Sequence, residues 1–194
     1  MKNSFFALIS RMRYISRWGL MRNSVQENIQ EHSHMVAVIA HALAVIRRDV
    51  FHKEIDPHFV AAVALYHDAS EIFTGDLPSP IKYLNPDILQ AYRQVEQVAA
   101  GKLLSLLPEP LQPAFHPLLC EENEEVHALI KAADRLSAYI KCLEEGKAGN
   151  NEFYAAGKEV LRSISASPLP ETVYFMEHFL PAFTLSLDEL DLSV

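Results

Sequence analysis

The dipeptide His67-Asp68 sits within an apolar stretch, Ala61-Ala62-Val63-Ala64-Leu65-Tyr66 and on to Phe73, that otherwise reads as the inward face of a helix. Burying an imidazole beside a carboxylate is costly unless a partner offsets their desolvation. A divalent cation is such a partner, because imidazole nitrogen and carboxylate oxygen both donate to borderline or hard ions. Adjacent helical residues stand about 100° apart, so these two converge on one ion only from beside the axis, and further ligands must come from other helices. His32, at the opening of one helical stretch, and Asp134, after Ala132-Ala133 in an apolar stripe, are the best-placed candidates for a set of two His and two Asp. Glu71 follows Asp68 by three positions and His67 by four, so it shares their helical face and can serve as an acid or base without being a ligand. The chain has nine histidines; His52, His58, His116 and His178 read as ordinary hydrogen-bonded or surface residues.

The elements that must position these groups are helical nearly throughout. The chain has 194 residues, 49% hydrophobic and 22% charged, with a net charge of −8. That length fits a single domain spanning 1–194 with a self-sufficient core, and the composition is too apolar for disorder. No uninterrupted apolar run approaches the roughly 18 residues of a membrane span. Lys2, Arg11, Arg13, Arg17 and Arg22 make residues 1–23 basic with no acid, whereas the remainder carries 12 bases against 25 acids. An acidic body argues against polymeric nucleic acid, where a basic face is expected. The basic start suits a small anion or an ordinary solvated helix face. Arg11 and Arg13 break the run Phe5-Phe6-Ala7-Leu8-Ile9, so this segment reads as mature protein rather than a signal peptide. Cys120 and Cys142 lack CxxC spacing and read as buried free thiols in a reducing compartment, hence cytoplasmic.

Residues 4–16 form an amphipathic stretch with Phe5, Leu8, Ile9 and Met12 on one side. A polar link over 23–31 leads to an inward stripe of Met35, Val36, Ile39, Ala40, Leu43 and Ile46. Asp56-Pro57 opens a helix expected to run to about Phe73, where Thr74-Gly75 ends it. An ordered loop over 76–80 follows, then a start signal at Asn85-Pro86-Asp87 and a face of Ile88, Tyr92, Val95, Ala99, Leu103 and Leu106. Four prolines make 108–117 a broken connection. A long helix covers 124–145, Gly146 to Asn150 stops it, and two more helices fit 151–165 and 170–179. The fold class is all-α, a bundle of about seven or eight helices.

His32, then His67-Asp68, then Asp134, on separate helices of such a chain, resembles the HD-domain superfamily of metal-dependent phosphohydrolases. The surrounding words narrow the resemblance: Arg17-Trp18, Leu20-Met21-Arg22-Asn23, Glu27-Asn28, Glu31-His32-Ser33, Tyr66-His67-Asp68-Ala69-Ser70-Glu71, and Thr74-Gly75-Asp76-Leu77-Pro78. With Asn150-Asn151-Glu152-Phe153 and Leu185-Ser186-Leu187-Asp188-Glu189, they make nearly the whole chain similar to the bacterial YfbR-type 5′-deoxynucleotidases.

The resemblance implies phosphate release from deoxyribonucleoside 5′-monophosphates at one divalent ion. His32, His67, Asp68 and Asp134 would hold it, with Asp68 and Asp134 also near substrate. Mn²⁺ or Co²⁺ is favoured over Mg²⁺ because neutral imidazoles suit them better. Glu71 is the expected general acid/base, at the position of the family's essential Glu. Arg17 is the expected phosphate ligand and transition-state cation, since its planar fork matches phosphate oxygens. By the same resemblance Trp18 crowds the sugar's 2′ position, against its plainer reading as a core anchor. The Asp76-Leu77-Pro78-Ser79 loop would border the sugar, with Asp76 accepting from the 3′-hydroxyl or holding a catalytic water; the family often has Thr where this chain has Ser79. A homodimer is the family's habit, and the apolar Tyr174–Leu180 segment suits it. The alternatives are a phosphodiesterase with a second metal through His116 and His127, a triphosphohydrolase, and a non-catalytic helical regulatory module.

Overall fold

The computed structural model describes residues 3–82, 84–120, 122–166 and 169–190. The elements are α1 (Phe5–Ile9) with a 3₁₀ turn over Ser10–Tyr14, α2 (Ile29–Asp49), α3 (Pro57–Tyr66), α4 (Glu71–Thr74), α5 (Ser79–Lys82), α6 (Pro86–Leu104), α7 (Gln112–Leu119), α8 (Glu124–Lys147), α9 (Tyr154–Ala166) and α10 (Pro170–His178). Setting aside the single turns α4 and α5, eight helices remain, in line with the expected all-α bundle. Among the described residues there is no strand, only an isolated antiparallel bridge between Ser16 and Asn28.

Four of the longer helices start where an Asn or Asp side chain satisfies free N–H groups: Asn28, Asp56, Asn85 and Asn123 before α2, α3, α6 and α8. Asn28 and Glu31 form a capping box, which opens α2 inside the stretch that reads as a polar link and places His32 in its first turn. From there α2 runs through the core. Val36, Ala40 and Leu43 pack with Val60 and Ala64 of α3 and Leu129, Ala133 and Leu136 of α8. At 21 residues α2 is also the one helix among those described that is long and apolar enough to cross a membrane, and more than half of that stretch is buried in this core. A smaller cluster of Phe5, Ala69, Leu103 and Leu107, edged by Tyr66 and Phe115, supports the turn after α3.

The structure departs from the sequence reading at several points. The helix from Pro57 does not reach Phe73; it ends at Tyr66 and gives way to a tight turn. Part of the 76–80 loop is helical, since α5 begins at Ser79. The proline-rich connection contains α7; Pro113 falls in its first turn, where its missing N–H would have been unpaired, while Pro117 sits inside the helix. Met35 and Val95 face outward, at the edges of their stripes. Cys142 is buried, but Cys120 only partly so.

Between the turn at Tyr14 and α2 the chain has no helix of its own, and α8 holds it. The Glu145 carboxylate, 2% exposed, accepts from Ser24 N–H at 2.9 Å, from Val25 N–H and from Asn150 Nδ2, while Lys141 donates to both Val25 O and Glu145. Burial opposes the Glu145 charge, yet bonds from Lys141, Asn150 and Ser24 hold its pKa down to about 2. Its contribution to stability is therefore complete above the ordinary value of 4.5 and is lost as pH falls toward 2. Glu145→Ala leaves the Lys141 charge buried without its carboxylate partner, and is expected to cost about 3 kcal/mol in urea denaturation at pH 7.

Candidate active site

After Tyr66 the backbone bonds run from His67 N–H to Ala64 O, from Ala69 N–H to Tyr66 O and from Glu71 N–H to Asp68 O, each spanning three residues. In a turn of this 3₁₀ type, residues three apart eclipse, so Asp68 and Glu71 share one side. The turn also fixes the imidazole of His67. Its Nδ1 lies 2.7 Å from Ala64 O, and a carbonyl only accepts, so Nδ1 carries the hydrogen and the neutral ring's lone pair is at Nε2.

That Nε2 is 3.1 Å from Asp68 Oδ2. From α2, the fully buried His32 brings its own Nε2 to 3.6 Å from the same Asp68 oxygen and to 3.0 Å from Oδ1 of Asp134 on α8. Neither Nε2 makes an aligned hydrogen bond, so both are buried nitrogens that face carboxylates without a hydrogen-bond partner. Candidate ligand atoms of His32, His67 and Asp68 all lie within 4.8 Å of one another, the one such group of three or more among the described residues. Asp134 is not within that mutual distance, but it adjoins through His32, and its half-exposed side chain marks the open side. Two orphaned imidazole nitrogens facing shared carboxylates fit a divalent cation with His, His, Asp and a flanking Asp as donors. His116 and His127 are exposed and stand outside the group, which removes the basis for a second ion through them.

The electrostatics show what stands in that space without an ion. Burial disfavours charge on His67, but Asp68 beside it outweighs this and raises its pKa to about 9. Burial likewise disfavours charge on Asp68 and Asp134, yet facing imidazoles hold both below the usual carboxylate range. His32 shifts the other way, down, through burial and the nearby Arg17 charge. Glu71, 8% exposed, has its Oε2 buried and unpartnered; burial, then repulsion from Asp68 and Asp76, raises its pKa to about 9. Asp76 is raised chiefly by burial, with Arg17 pulling against it. Leu77 and Pro78 continue from Asp76, both half-buried; the Ser79 side chain lies outside the described part of the structure.

Arg17 reaches this cluster from the segment that Glu145 anchors. Its Nη1 contacts His32 Nδ1 and, at 3.1 Å, Glu27 Oε2, while Nη2 is 3.9 Å from Asp134 Oδ1. Ser137 Oγ also lies 3.3 Å from His32 Nδ1, an alternative partner for that nitrogen. Trp18 follows with a φ of 56°, in the left-handed region that bulky residues rarely adopt. Its indole Nε1 donates to Glu27 Oε2 at 3.1 Å, and its ring meets Phe153 edge-on at 5.3 Å. The sequence reading gave no role to Glu27 or Ser137. Glu27 stood in the word Glu27-Asn28, which says nothing of its partners; Ser137 had only its place three residues after Asp134.

Comparisons with known proteins agree with this assembly. A family model, YfbR-like 5′-deoxynucleotidase, matches residues 4–183. A 5′-deoxynucleotidase of Cronobacter sakazakii is 48% identical over 97% of this chain and 96% of its own, and one of Yersinia pestis is 50% identical with the same coverage. An HD-domain phosphohydrolase from Listeria innocua superposes with a TM-score of 0.80 at 25% identity, covering 93% of this chain and 88% of that one. The fold also matches a cyanophage S-2L HD phosphohydrolase bound to dA and one catalytic Zn²⁺ ion, with a TM-score of 0.62 at 22% identity, over 91% of this chain and 95% of that one. With its His-Asp turn, its buried His32 and this sequence match along nearly all its length, the chain belongs to the YfbR-like 5′-deoxynucleotidase family.

Proposed function

We propose that the protein hydrolyses deoxyribonucleoside 5′-monophosphates to deoxyribonucleoside and inorganic phosphate, using one divalent cation held by His32, His67, Asp68 and Asp134. The observation that carries this reading is the pair of buried Nε2 atoms that face the same Asp68 oxygen yet make no hydrogen bond. When bound, such an ion polarises a phosphoryl oxygen and lowers the pKa of coordinated water from 15.7 toward roughly 7. Mn²⁺ and Co²⁺ are the ions we expect, on the mixed imidazole and carboxylate donor set.

The chain's own residues supply the rest. Arg17 swings from its His32 contact to a phosphate oxygen, where its charge stabilises the equatorial oxygens of the transition state. Glu71, protonated at its buried carboxyl, is placed to pass that proton to the leaving 5′-oxygen as the P–O bond breaks; water oxygen forms the new bond to phosphorus, and the proton water releases returns to the Glu71 carboxylate. Asp76, Leu77, Pro78 and Ser79 border the sugar, with Asp76 accepting from the 3′-hydroxyl. Trp18 walls off the 2′ position. We further propose a cytoplasmic homodimer that does not bind polymeric nucleic acid; of the apolar Tyr174–Leu180 segment expected to face the second copy, Phe179 is exposed, whereas Phe175 belongs to the core and Tyr174, Met176 and Leu180 pack against it.

The deciding experiment measures phosphate release from deoxyribonucleoside monophosphates with Mn²⁺ or Co²⁺. The expected result is turnover that EDTA abolishes and added metal restores; absence of release from every deoxynucleotide with both ions overturns the proposal. Trp18→Ala is expected to lower the deoxy-over-ribo ratio of kcat/KM by about tenfold, within the ~10²-fold ceiling for steric rejection of an added hydroxyl. An unchanged ratio in a folded variant removes Trp18 from the sugar wall.

A further inference from the structure

Glu27 joins the two residues read above as phosphate ligand and sugar wall. One of its oxygens, Oε2, takes the Arg17 guanidinium at 3.1 Å and the Trp18 indole N–H at 3.1 Å. A carboxylate oxygen has two lone pairs, so a single atom satisfies both donors. The backbone places it there: Arg17 N–H donates to Glu27 O at 3.0 Å, Ile29 N–H donates to Ile15 O at 3.0 Å, and Ser16 and Asn28 form the bridge between them. Glu27 therefore faces Arg17 beside this antiparallel bridge, its side chain mostly buried.

Trp18 needs such a restraint. Its left-handed backbone costs free energy in a residue with a bulky side chain, and such strain persists only where neighbours over-determine it. Met21 N–H and Asn23 Nδ2 bond to Trp18 O and hold the backbone. The indole has Phe153 against one edge and Glu27 on its nitrogen. The Arg17 guanidinium lies 5.9 Å from the indole ring, so both groups move as neighbours.

We infer that Glu27 is a positioning residue that latches the phosphate-binding guanidinium to the sugar-facing indole, so that discrimination against a 2′-hydroxyl depends on a carboxylate that touches neither sugar nor phosphate. This rests on the reading of Arg17 and Trp18 as substrate contacts.

Trp18 is the only tryptophan in the chain, so its fluorescence reports the latch without any turnover. Wild type, Glu27→Ala and Glu27→Gln are compared for Trp18 emission, Mn²⁺ affinity and kcat/KM with dAMP and AMP. Glu27→Ala is expected to red-shift the emission, leave Mn²⁺ affinity unchanged and lower the dAMP-over-AMP ratio about tenfold, the scale of one hydrogen bond to a charged acceptor. Glu27→Gln keeps an acceptor oxygen and restores part of the ratio, and it stands in if the alanine variant fails to fold. In a Trp18→Phe background, which lacks the N–H, Glu27→Ala is expected to change the ratio no further. Wild-type discrimination with an unchanged ratio in Glu27→Ala, or with unchanged Trp18 emission, overturns the latch and leaves the proposed function standing. A wild type that hydrolyses dAMP and AMP equally overturns the sugar-wall reading and the latch with it.

Discussion

Glu71→Gln is expected to lower kcat by about 10³-fold, within the 10²–10⁴ range that a positioned general acid or base contributes, and to leave Mn²⁺ affinity within a few-fold of wild type. Glu71 lies outside the His32, His67 and Asp68 group, so losing its carboxyl removes no ligand. The 3₁₀ turn sets it over Asp68, and its Oε2 is buried with no partner. Burial and the charges of Asp68 and Asp76 raise its pKa to about 9, so the ion-free protein keeps it protonated at neutral pH. A cation against Asp68 removes much of its repulsion and lowers the Glu71 pKa toward neutral pH, where an acid/base is most effective. The same shift gives a readout independent of turnover. A carboxyl raised from its ordinary 4.5 favours the fold most below that pH, and this favour is lost as pH rises toward about 9. Gln has no proton to lose. The ion-free variant is therefore expected to unfold at a higher urea concentration than wild type at pH 8, with that advantage shrinking toward pH 4.5. Turnover within a few-fold of wild type removes Glu71 from the acid/base role.

What was legible in the sequence was set by local chemistry. Asp56-Pro57 and Asn85-Pro86 marked their helices because an oxygen acceptor and a missing N–H both belong at a helix start. His67-Asp68 stood out because polar residues amid Ala and Val require compensation. The break of the helix after Tyr66 was hidden, since the apolar pattern continues through Ala69 and Ile72 while the turn is set by three-residue backbone bonds. Spacing nonetheless put Glu71 on the right side: residues three apart nearly align at 3.6 residues per turn and eclipse at 3.0. Helix α7 was obscured by prolines whose count suggested breakage, although Pro113 falls in the first turn. Glu27 and Glu145 were out of reach for a different reason. Their partners, a left-handed tryptophan and backbone N–H groups 120 residues away, exist only once the chain has crossed back on itself.

Asp68→Asn is expected to weaken Mn²⁺ binding by well over 10²-fold and to abolish turnover at any practical metal concentration, since even residues that merely support a ligand are worth 10–100-fold. Asp68 is the one carboxylate in the close group, and its Oδ2 faces both imidazoles, at 3.1 Å from His67 and 3.6 Å from His32. Its charge also controls the proton that competes with metal. Burial alone would hold His67 neutral, but Asp68 raises its pKa to about 9, and ligation requires that proton to leave. Wild-type affinity is therefore expected to tighten about tenfold per pH unit up to roughly pH 9, with proton release visible by calorimetry in buffers of different ionisation enthalpy. Once the carboxylate is gone, the largest influence raising His67 goes with it and burial pulls its pKa back down, so the residual weak binding is expected to lose much of that slope. The ion-free fold changes in step. A histidine raised above its ordinary 6.5 stabilises the protein most below that pH and loses this contribution as pH rises through about 9. Asp68→Asn deletes that pH-dependent part of the stability, whereas damage confined to packing would lower stability equally at every pH. If the Asp68→Asn variant binds Mn²⁺ nearly as tightly as wild type, with the same slope against pH, the His-Asp pair does not have the role given to it here.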